Sequence, residues 1–206
     1  MNLCILGATG RVGSIILDNA LSQHVNVNIL VRDQNKILID HPKLRVIEGN
    51  VLNESDISTA MNGTSVVISA LNTDGTTTLS ESMPLIIRSM KKHGIKRIIT
   101  IGTAGILQAR IDPDLFRFQS SESRRKSTRD AEEHLKAYLK LKESGLQWTV
   151  VCPTYLPTGE RVGHFRYEKN FLPVNPSSIS IYDTADFAFK QLFSTEFIGF
   201  RVGLTY

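Results

Sequence analysis

Apolar runs of membrane-spanning length are absent from this chain, and so is a secretory start. The N-terminus enters a strand-like segment, Met1-Asn-Leu-Cys-Ile-Leu6, where a signal peptide would place cationic residues and a longer apolar stretch. Cysteine is scarce. Cys4 and Cys152 each sit inside an apolar run and form no C-x-x-C pair, so they read as small core residues of a protein kept in a reducing cytoplasm. The five histidines, His24, His41, His93, His134 and His164, show no metal-ligand spacing, so no metal is expected. Neither a G-x-S-x-G elbow nor a G-x-x-x-x-G-K-[ST] loop occurs, which sets aside two common hydrolase designs. Charge of one sign is also in short supply. The net charge of +4 suits a polyanionic small ligand without requiring nucleic acid. The basic group Arg117, Arg124, Arg125, Lys126 and Arg129 reads first as a solvated face.

What the chain does have is a glycine series in a telling place: Gly7-Ala-Thr9-Gly10-Arg11-Val12-Gly13, directly after an apolar strand and opening an amphipathic helix. Gly7 allows the sharp turn out of the strand, Gly10 lets the backbone approach a pyrophosphate, and Gly13 lets helix and strand pack closely. The spacing is G-x-x-G-x-x-G, with Thr9 where the stricter fingerprint has its middle glycine. Amides at the start of the helix then face a negative ligand.

Strand-like and helix-like segments alternate from there. Strands are expected at 2–6, 26–31, 44–48, 65–70, 97–102 and 147–152, and helices near 12–23, 54–61, 78–93 and 122–144. The strands are rich in Val, Ile and Leu with little alternation, as in a parallel sheet covered on both faces. Asn62-Gly63, His93-Gly94 and Ser144-Gly145 mark helix ends. A late helix near 183–194 and a short strand at 201–204 close the chain. The pattern predicts an α/β, doubly wound, Rossmann-like parallel sheet forming one domain over residues 1–206. Two long irregular stretches, 103–123 and 153–181, follow strand ends where ligands bind in such sheets, and are expected to form the substrate pocket.

The identity of the dinucleotide turns on the end of the second strand. From Ala20 to Val31 no residue is acidic, and Arg32 stands where a ribose-gripping carboxylate belongs. A guanidinium suits a 2′-phosphate, and Arg11 is placed to reach the same region, so NADP is favoured over NAD. Asp33, next in the chain, pulls the other way.

For catalysis, a literal Tyr-x-x-x-Lys occurs at Tyr138–Lys142, but it falls near the end of its helix. The expected places hold Arg124 and Thr128, and the displacement is ~20 Å along the axis. Tyr138 is therefore read as helix surface or edge packing. Better placed are Thr103, after the fifth strand, and Cys152-Pro153-Thr154-Tyr155, after the sixth. Thr103 would present a hydroxyl above a nicotinamide, Pro153 would turn the chain over it, and Tyr155 would supply a phenol or an aromatic wall. Ala70 and Leu71, after the fourth strand, are small or apolar enough for the nicotinamide ribose to pass.

These stretches, with Leu30–Asp33, Gly49-Asn50-Val51-Leu52, Met90–Gly94, Gly102–Ala104 and Ser144–Leu146 in the same order, resemble the atypical short-chain dehydrogenase/reductase family that includes biliverdin-IXβ reductase (flavin reductase) and bacterial NADH-flavin reductases. The resemblance implies NADPH binding by Gly7, Thr9, Gly10, Arg11, Val12, Gly13, Arg32, Asn50, Val51, Leu52, Ala70, Leu71, Thr103 and Pro153. It also implies reduction of a flavin or quinone-like acceptor, with the flavin as substrate rather than prosthetic group and with Thr103 and Tyr155 at the reacting end. The mammalian members carry serine and histidine at those two places. A tyrosine, with a pKa near 10, shuttles protons poorly at neutral pH, which favours a flavin over a tetrapyrrole acceptor. The alternatives on the same fold are a redox-sensing NAD(P)-binding regulator of the NmrA type, without turnover, and an isomerase or epimerase, against which the misplaced tyrosine–lysine pair and the lack of a C-terminal substrate domain count. No nucleic-acid or membrane partner is expected, and monomer and dimer are equally open.

Overall fold

The computed structural model describes residues 1–123 and 126–206; the expectations placed on Arg124 and Arg125 lie outside the described residues. Among the described residues the order is β1 (Asn2–Leu6), α1 (Arg11–Ser22), β2 (Asn26–Val31), β3 (Leu44–Glu48), α2 (Glu54–Met61), β4 (Val66–Ser69), α3 (Thr78–Lys92), β5 (Arg97–Ile101), α4 (Arg129–Lys142), β6 (Gln147–Pro153), β7 (Arg166–Lys169), α5 (Ile181–Lys190) and β8 (Phe200–Thr205). These strands form one eight-stranded sheet in the order β3-β2-β1-β4-β5-β6-β8-β7, parallel except for β7, which runs antiparallel to β8. This is the Rossmann-like, doubly wound arrangement the alternating pattern predicts.

Successive residues of a strand face opposite sides of the sheet. In β1, Leu3 and Ile5 join α1 and α5 in one core, while Cys4 and Leu6 join α2, α3 and α4 in the other. Both faces of the strand are thus buried, which is why its sequence is apolar without alternation. Helix α1 buries Val12, Ile15, Ile16, Leu17, Ala20 and Leu21. Each large aliphatic side chain contributes about 1.5–3 kcal/mol on burial, so the helix, and with it the glycine turn, is firmly seated. The expected stop signals end their helices, with Gly63, Gly94 and Gly145 all at positive φ. No helix among the described residues is long and apolar enough to cross a membrane.

Three boundaries differ from expectation. Helix α4 starts at Arg129, not 122, because the residues before it are used elsewhere. Arg117–Gln119 form a short 3-10 turn, and the Glu122 carboxylate accepts the backbone N–H groups of Arg110 and Ile111. Helix α5 starts earlier, at Ile181, because the Ser180 hydroxyl caps it by accepting the Asp183 N–H at 3.1 Å. The stretch 153–181, expected to be irregular throughout, contains the antiparallel strand β7. Its sequence, Arg166-Tyr-Glu-Lys169, is charged at three of four positions as befits an edge strand, and too short to stand out from its surroundings.

Candidate functional site

The first part of the site is built by the turn between β1 and α1. Gly7 sits at φ +85°, and a Cβ there would lie 2.6 Å from the Ala70 carbonyl oxygen, so no other residue fits. At Gly13 a Cβ would lie 2.1 Å from the Gly7 carbonyl oxygen. This is the close helix-to-strand packing expected of it. Gly10 is different. It is extended, donates its N–H to the Gly7 carbonyl at 3.0 Å, and a Cβ on it would meet nothing nearer than 3.3 Å. A side chain there would press only lightly on the Gly7 carbonyl oxygen and stand 3.8 Å from that of Ala70. No side chain caps α1, and Thr9, Gly10 and Arg11 are exposed while Val12 is buried beneath them. A firmly held, exposed helix start without a side-chain cap is a cradle that offers backbone N–H groups to an anion, so these residues fit the phosphates of a dinucleotide.

Around this cradle stand the strand ends of β2, β3 and β4. Arg32 follows β2 and is 81% exposed, with a guanidinium nitrogen 3.7 Å from an Asp74 carboxylate oxygen. One oxygen of Asp33, Oδ1, accepts from the Asn35 backbone and side-chain N–H groups at 3.0 and 3.1 Å, which holds this carboxylate over the short turn that follows β2. Past β3, the Asn50 side chain accepts the Leu52 N–H at 2.9 Å, which shapes a turn that leaves Val51 half-buried and Leu52 exposed. Past β4, Ala70 and Leu71 are both half-buried. Sequence reasoning passed over Asp74. The signal for it was the Asp74-Gly75 pair, a turn signature, and both residues adopt positive φ.

The second part is a cleft of about 1200 Å³ over the ends of β5 and β6. The stretches 103–123 and 153–181 both contribute to its walls, the first through Thr103, Arg110 and Arg117, the second through Tyr155, Pro173 and Asn175. Arg11 also lines it, so the cleft runs on from the glycine turn. The Arg11 guanidinium donates to the Leu156 carbonyl at 2.9 Å and so turns towards this cleft instead of towards Arg32, where the sequence had suggested it would point. Thr103 is buried, and its hydroxyl accepts the Gly105 N–H at 3.4 Å to start a short 3-10 turn over 104–106. Pro153 ends β6. Tyr155, two residues on, has its backbone held through its carbonyl by the Ile179 N–H at 2.9 Å, while its side chain is 73% exposed. Arg110 pairs with Glu168 and lies over the Phe171 ring, and Arg117 lies 3.7 Å from Glu122, so the cationic walls are largely balanced. Beneath the floor, complete burial pushes the Cys152 thiol up to about 12, which marks it as an inert core residue.

Tyr138 does not reach this cleft. It is buried, not on the helix surface: its ring meets Trp148 edge-on at 5.6 Å and lies under the Arg201 guanidinium. The expectation of surface or edge packing for Tyr138 is corrected in that respect, while its separation from the candidate site holds. Among the described residues no group of His, Cys, Asp or Glu is arranged to hold a metal.

The NAD(P)H-binding family matches residues 7–195 of the chain. Among solved structures, a provisionally named epimerase from Bacteroides thetaiotaomicron is 28% identical with a TM-score of 0.86, over 100% of this chain and 96% of that one. A provisionally named NADH-flavin reductase from Streptococcus pneumoniae is 23% identical with a TM-score of 0.84, over 100% and 99%. A short-chain dehydrogenase/reductase from Veillonella parvula in complex with NADP is 20% identical with a TM-score of 0.82, over 100% and 94%.

Proposed function

The chain belongs to the NAD(P)H-binding family, and from that premise we propose that it is an NADPH-dependent reductase of a flat conjugated acceptor, a flavin or a quinone-like molecule. The observation that carries this reading is the continuity of the site. An open phosphate cradle and a large cleft share Arg11, so one extended ligand can lie in the first while its reactive end reaches the floor of the second. The dinucleotide, when bound, supplies the hydride.

The chain's own residues bind and orient. Gly7, Thr9, Gly10, Val12 and Gly13 hold the bridged phosphates through backbone groups, and Arg32 meets the 2′-phosphate with a planar fork of donors. Asn50 shapes the turn that offers Val51 and Leu52 to the adenine. Ala70 and Leu71 leave room beside the nicotinamide ribose. Thr103, buried and fixed by its contact with Gly105, orients the carboxamide or the acceptor, and Pro153 turns the chain over it. Tyr155, with Ile111 and Val174 also exposed on the rim, gives the acceptor an apolar and aromatic wall. Hydride transfer to a flavin requires mainly stacking and close approach, which such walls supply. Residues 1–206 act on this reading as a single unit, the stretches 103–123 and 153–181 supplying the acceptor pocket. The free, buried Cys4 and Cys152 agree with a reducing cytoplasm.

The test is to mix the purified protein with NADPH and with FMN, riboflavin or a quinone, and to follow absorbance at the reduced nicotinamide band. Acceptor-dependent oxidation supports the reading; none with any of these acceptors overturns it. One observation favours a second reading, an NmrA-type redox sensor: with Tyr138 in the core, no tyrosine–lysine pair lines the cleft among the described residues. Tight binding of the oxidised cofactor without turnover would select the sensor.

A further inference from the structure

We propose that Asp74, on the turn after β4, reads the adenosine ribose together with Arg32 and sets how far the site distinguishes NADP from NAD. This rests on the dinucleotide reading above. In the sheet, β2 and β4 are the two neighbours of β1. The glycine turn leaves β1 between them. Arg32 stands at the end of β2 and Asp74 on the turn beyond β4, yet their charged groups come within 3.7 Å. The pair therefore crosses over the carboxyl end of β1, beside the mouth of the cradle. The end of β2 is where an adenosine ribose presents its 2′ position, so both groups are within its reach.

The turn that brings Asp74 there is anchored. The Thr73 hydroxyl donates to the Asp130 carboxylate at 3.0 Å, Arg129 donates to the Gly75 carbonyl, and the Thr76 N–H donates to the Thr73 carbonyl at 2.8 Å. The first turn of α4 thus fixes the position of Asp74. β2 holds no acid, and the acid that follows Arg32, Asp33, is held through its Oδ1 by Asn35.

A carboxylate accepts a hydrogen bond from the 2′-hydroxyl of NAD and repels the 2′-phosphate of NADP; a guanidinium does the reverse. Asp74 is half exposed and Arg32 more so, and an exposed pair of this kind is held weakly, so Arg32 exchanges Asp74 for a phosphate at little cost. Asp74 then faces a like charge. Arg32 gives the site its preference for NADP, and Asp74 limits that preference.

The experiment is calorimetric titration of the full chain with NADP+ and NAD+, using the wild type, Asp74→Asn and Arg32→Ala. Asparagine tolerates the positive φ of 49° at position 74, so the turn is kept, and an unchanged melting temperature verifies it. Asp74→Asn is expected to tighten NADP+ about three- to tenfold and to weaken NAD+ by a similar factor, about what one net hydrogen bond at an exposed site is worth. Arg32→Ala is expected to weaken NADP+ by about tenfold or more and NAD+ little. An Asp74→Asn protein that melts like the wild type and keeps the same affinity ratio overturns the proposal, as does one that weakens both nucleotides alike. Failure of the wild type to bind either nucleotide overturns the dinucleotide reading itself, and this inference with it.

Discussion

Alanine at Gly10 and alanine at Gly13 separate two roles that sit three residues apart. A Cβ at position 13 would lie 2.1 Å from the Gly7 carbonyl oxygen and 2.9 Å from its carbonyl carbon. Both are backbone atoms, so relief requires α1 to move away from the turn by about 1 Å. That helix is packed through Ile15, Ile16 and Leu17 against Leu3, Ile5, Val27 and Ile29. Overpacking of this kind costs about 1–3 kcal/mol, and the better helix propensity of alanine returns up to about 1 kcal/mol. Because the clash is with backbone atoms the cost falls in the upper part of that range, about 1–2 kcal/mol net, and at about 2–4 °C per kcal/mol for a chain of this length Gly13→Ala is expected to lower the melting temperature by about 2–8 °C.

At position 10 the nearest atom is 3.3 Å away and the backbone is extended, so alanine fits with an adjustment of tenths of an ångström. Its cost as an N-cap is about 0.5 kcal/mol, which leaves the melting temperature within about 2 °C of wild type. On the dinucleotide reading, however, the methyl group keeps a phosphate from close approach to the backbone at this position. Losing one charge-assisted contact raises the dissociation constant for NADPH by about tenfold or more. Thermal melting of both variants with and without excess NADPH reads both effects, because a ligand at free concentration L stabilises by RT ln(1 + L/Kd), so a tenfold weaker Kd removes about 1.4 kcal/mol of the ligand's stabilisation. A Gly10→Ala protein that NADPH stabilises as much as the wild type would refute the cradle, and a Gly13→Ala protein that melts normally would refute the packing argument.

Tyr155→Phe is expected to keep full acceptor turnover and Tyr155→Ala to raise the acceptor KM several-fold, with no change in melting for either, because the side chain is 73% exposed; equal loss of kcat in both would instead make the phenol a proton donor. Arg11→Ala removes the bond to the Leu156 carbonyl and is expected to raise the acceptor KM more than the dissociation constant for NADPH, since the bond holds the start of the acceptor wall; an effect on NADPH alone would place Arg11 on the phosphates. Burial by itself raises the Asp183 carboxyl pKa, but hydrogen bonds from Tyr206, Val162, Gly163 and Ser180 outweigh it and hold the value below the ordinary one. A lowered folded-state value means stability that is present above about pH 4 and lost as pH falls through the folded pKa, so Asp183→Asn is expected to cost about 2–3 kcal/mol at neutral pH and to flatten the acid limb of melting temperature against pH; a variant matching the wild type at every pH would remove Asp183 from the stabilising contacts.

The parts of this molecule that can be read along the chain are those whose causes are local. β1 and β2 lie at the residues their apolar runs mark, and α2 ends at the Asn62-Gly63 stop, because burial on both faces and a positive-φ glycine leave their mark within a few positions. The glycine series is legible for the same reason: Gly7 and Gly13 answer steric demands from atoms less than seven residues away or from the adjoining strand end at Ala70. The start of α4 is not legible. Glu122 has the composition of a first helical turn, but its carboxylate is drawn to the Arg110 and Ile111 amides, and a tertiary contact overrides local propensity.

The same distinction decides what could be known of the site. Arg32 announces itself because it stands where an acid belongs, but its partner Asp74 lies beyond another strand, and only the order β2-β1-β4 brings the two together. Arg11 was expected to turn towards Arg32. It reaches instead across to Leu156, 145 positions away, because the turn after β6 brings a carbonyl within its reach. Tyr138 shows the converse. Its spacing to Lys142 imitates a catalytic pair, yet Trp148 and Arg201, from β6 and β8, claim its ring for the core. A motif therefore signals a site only where the backbone itself is the binding group, as in the glycine turn. Where side chains do the work, their role is set by strands that are neighbours in the sheet and strangers in the sequence.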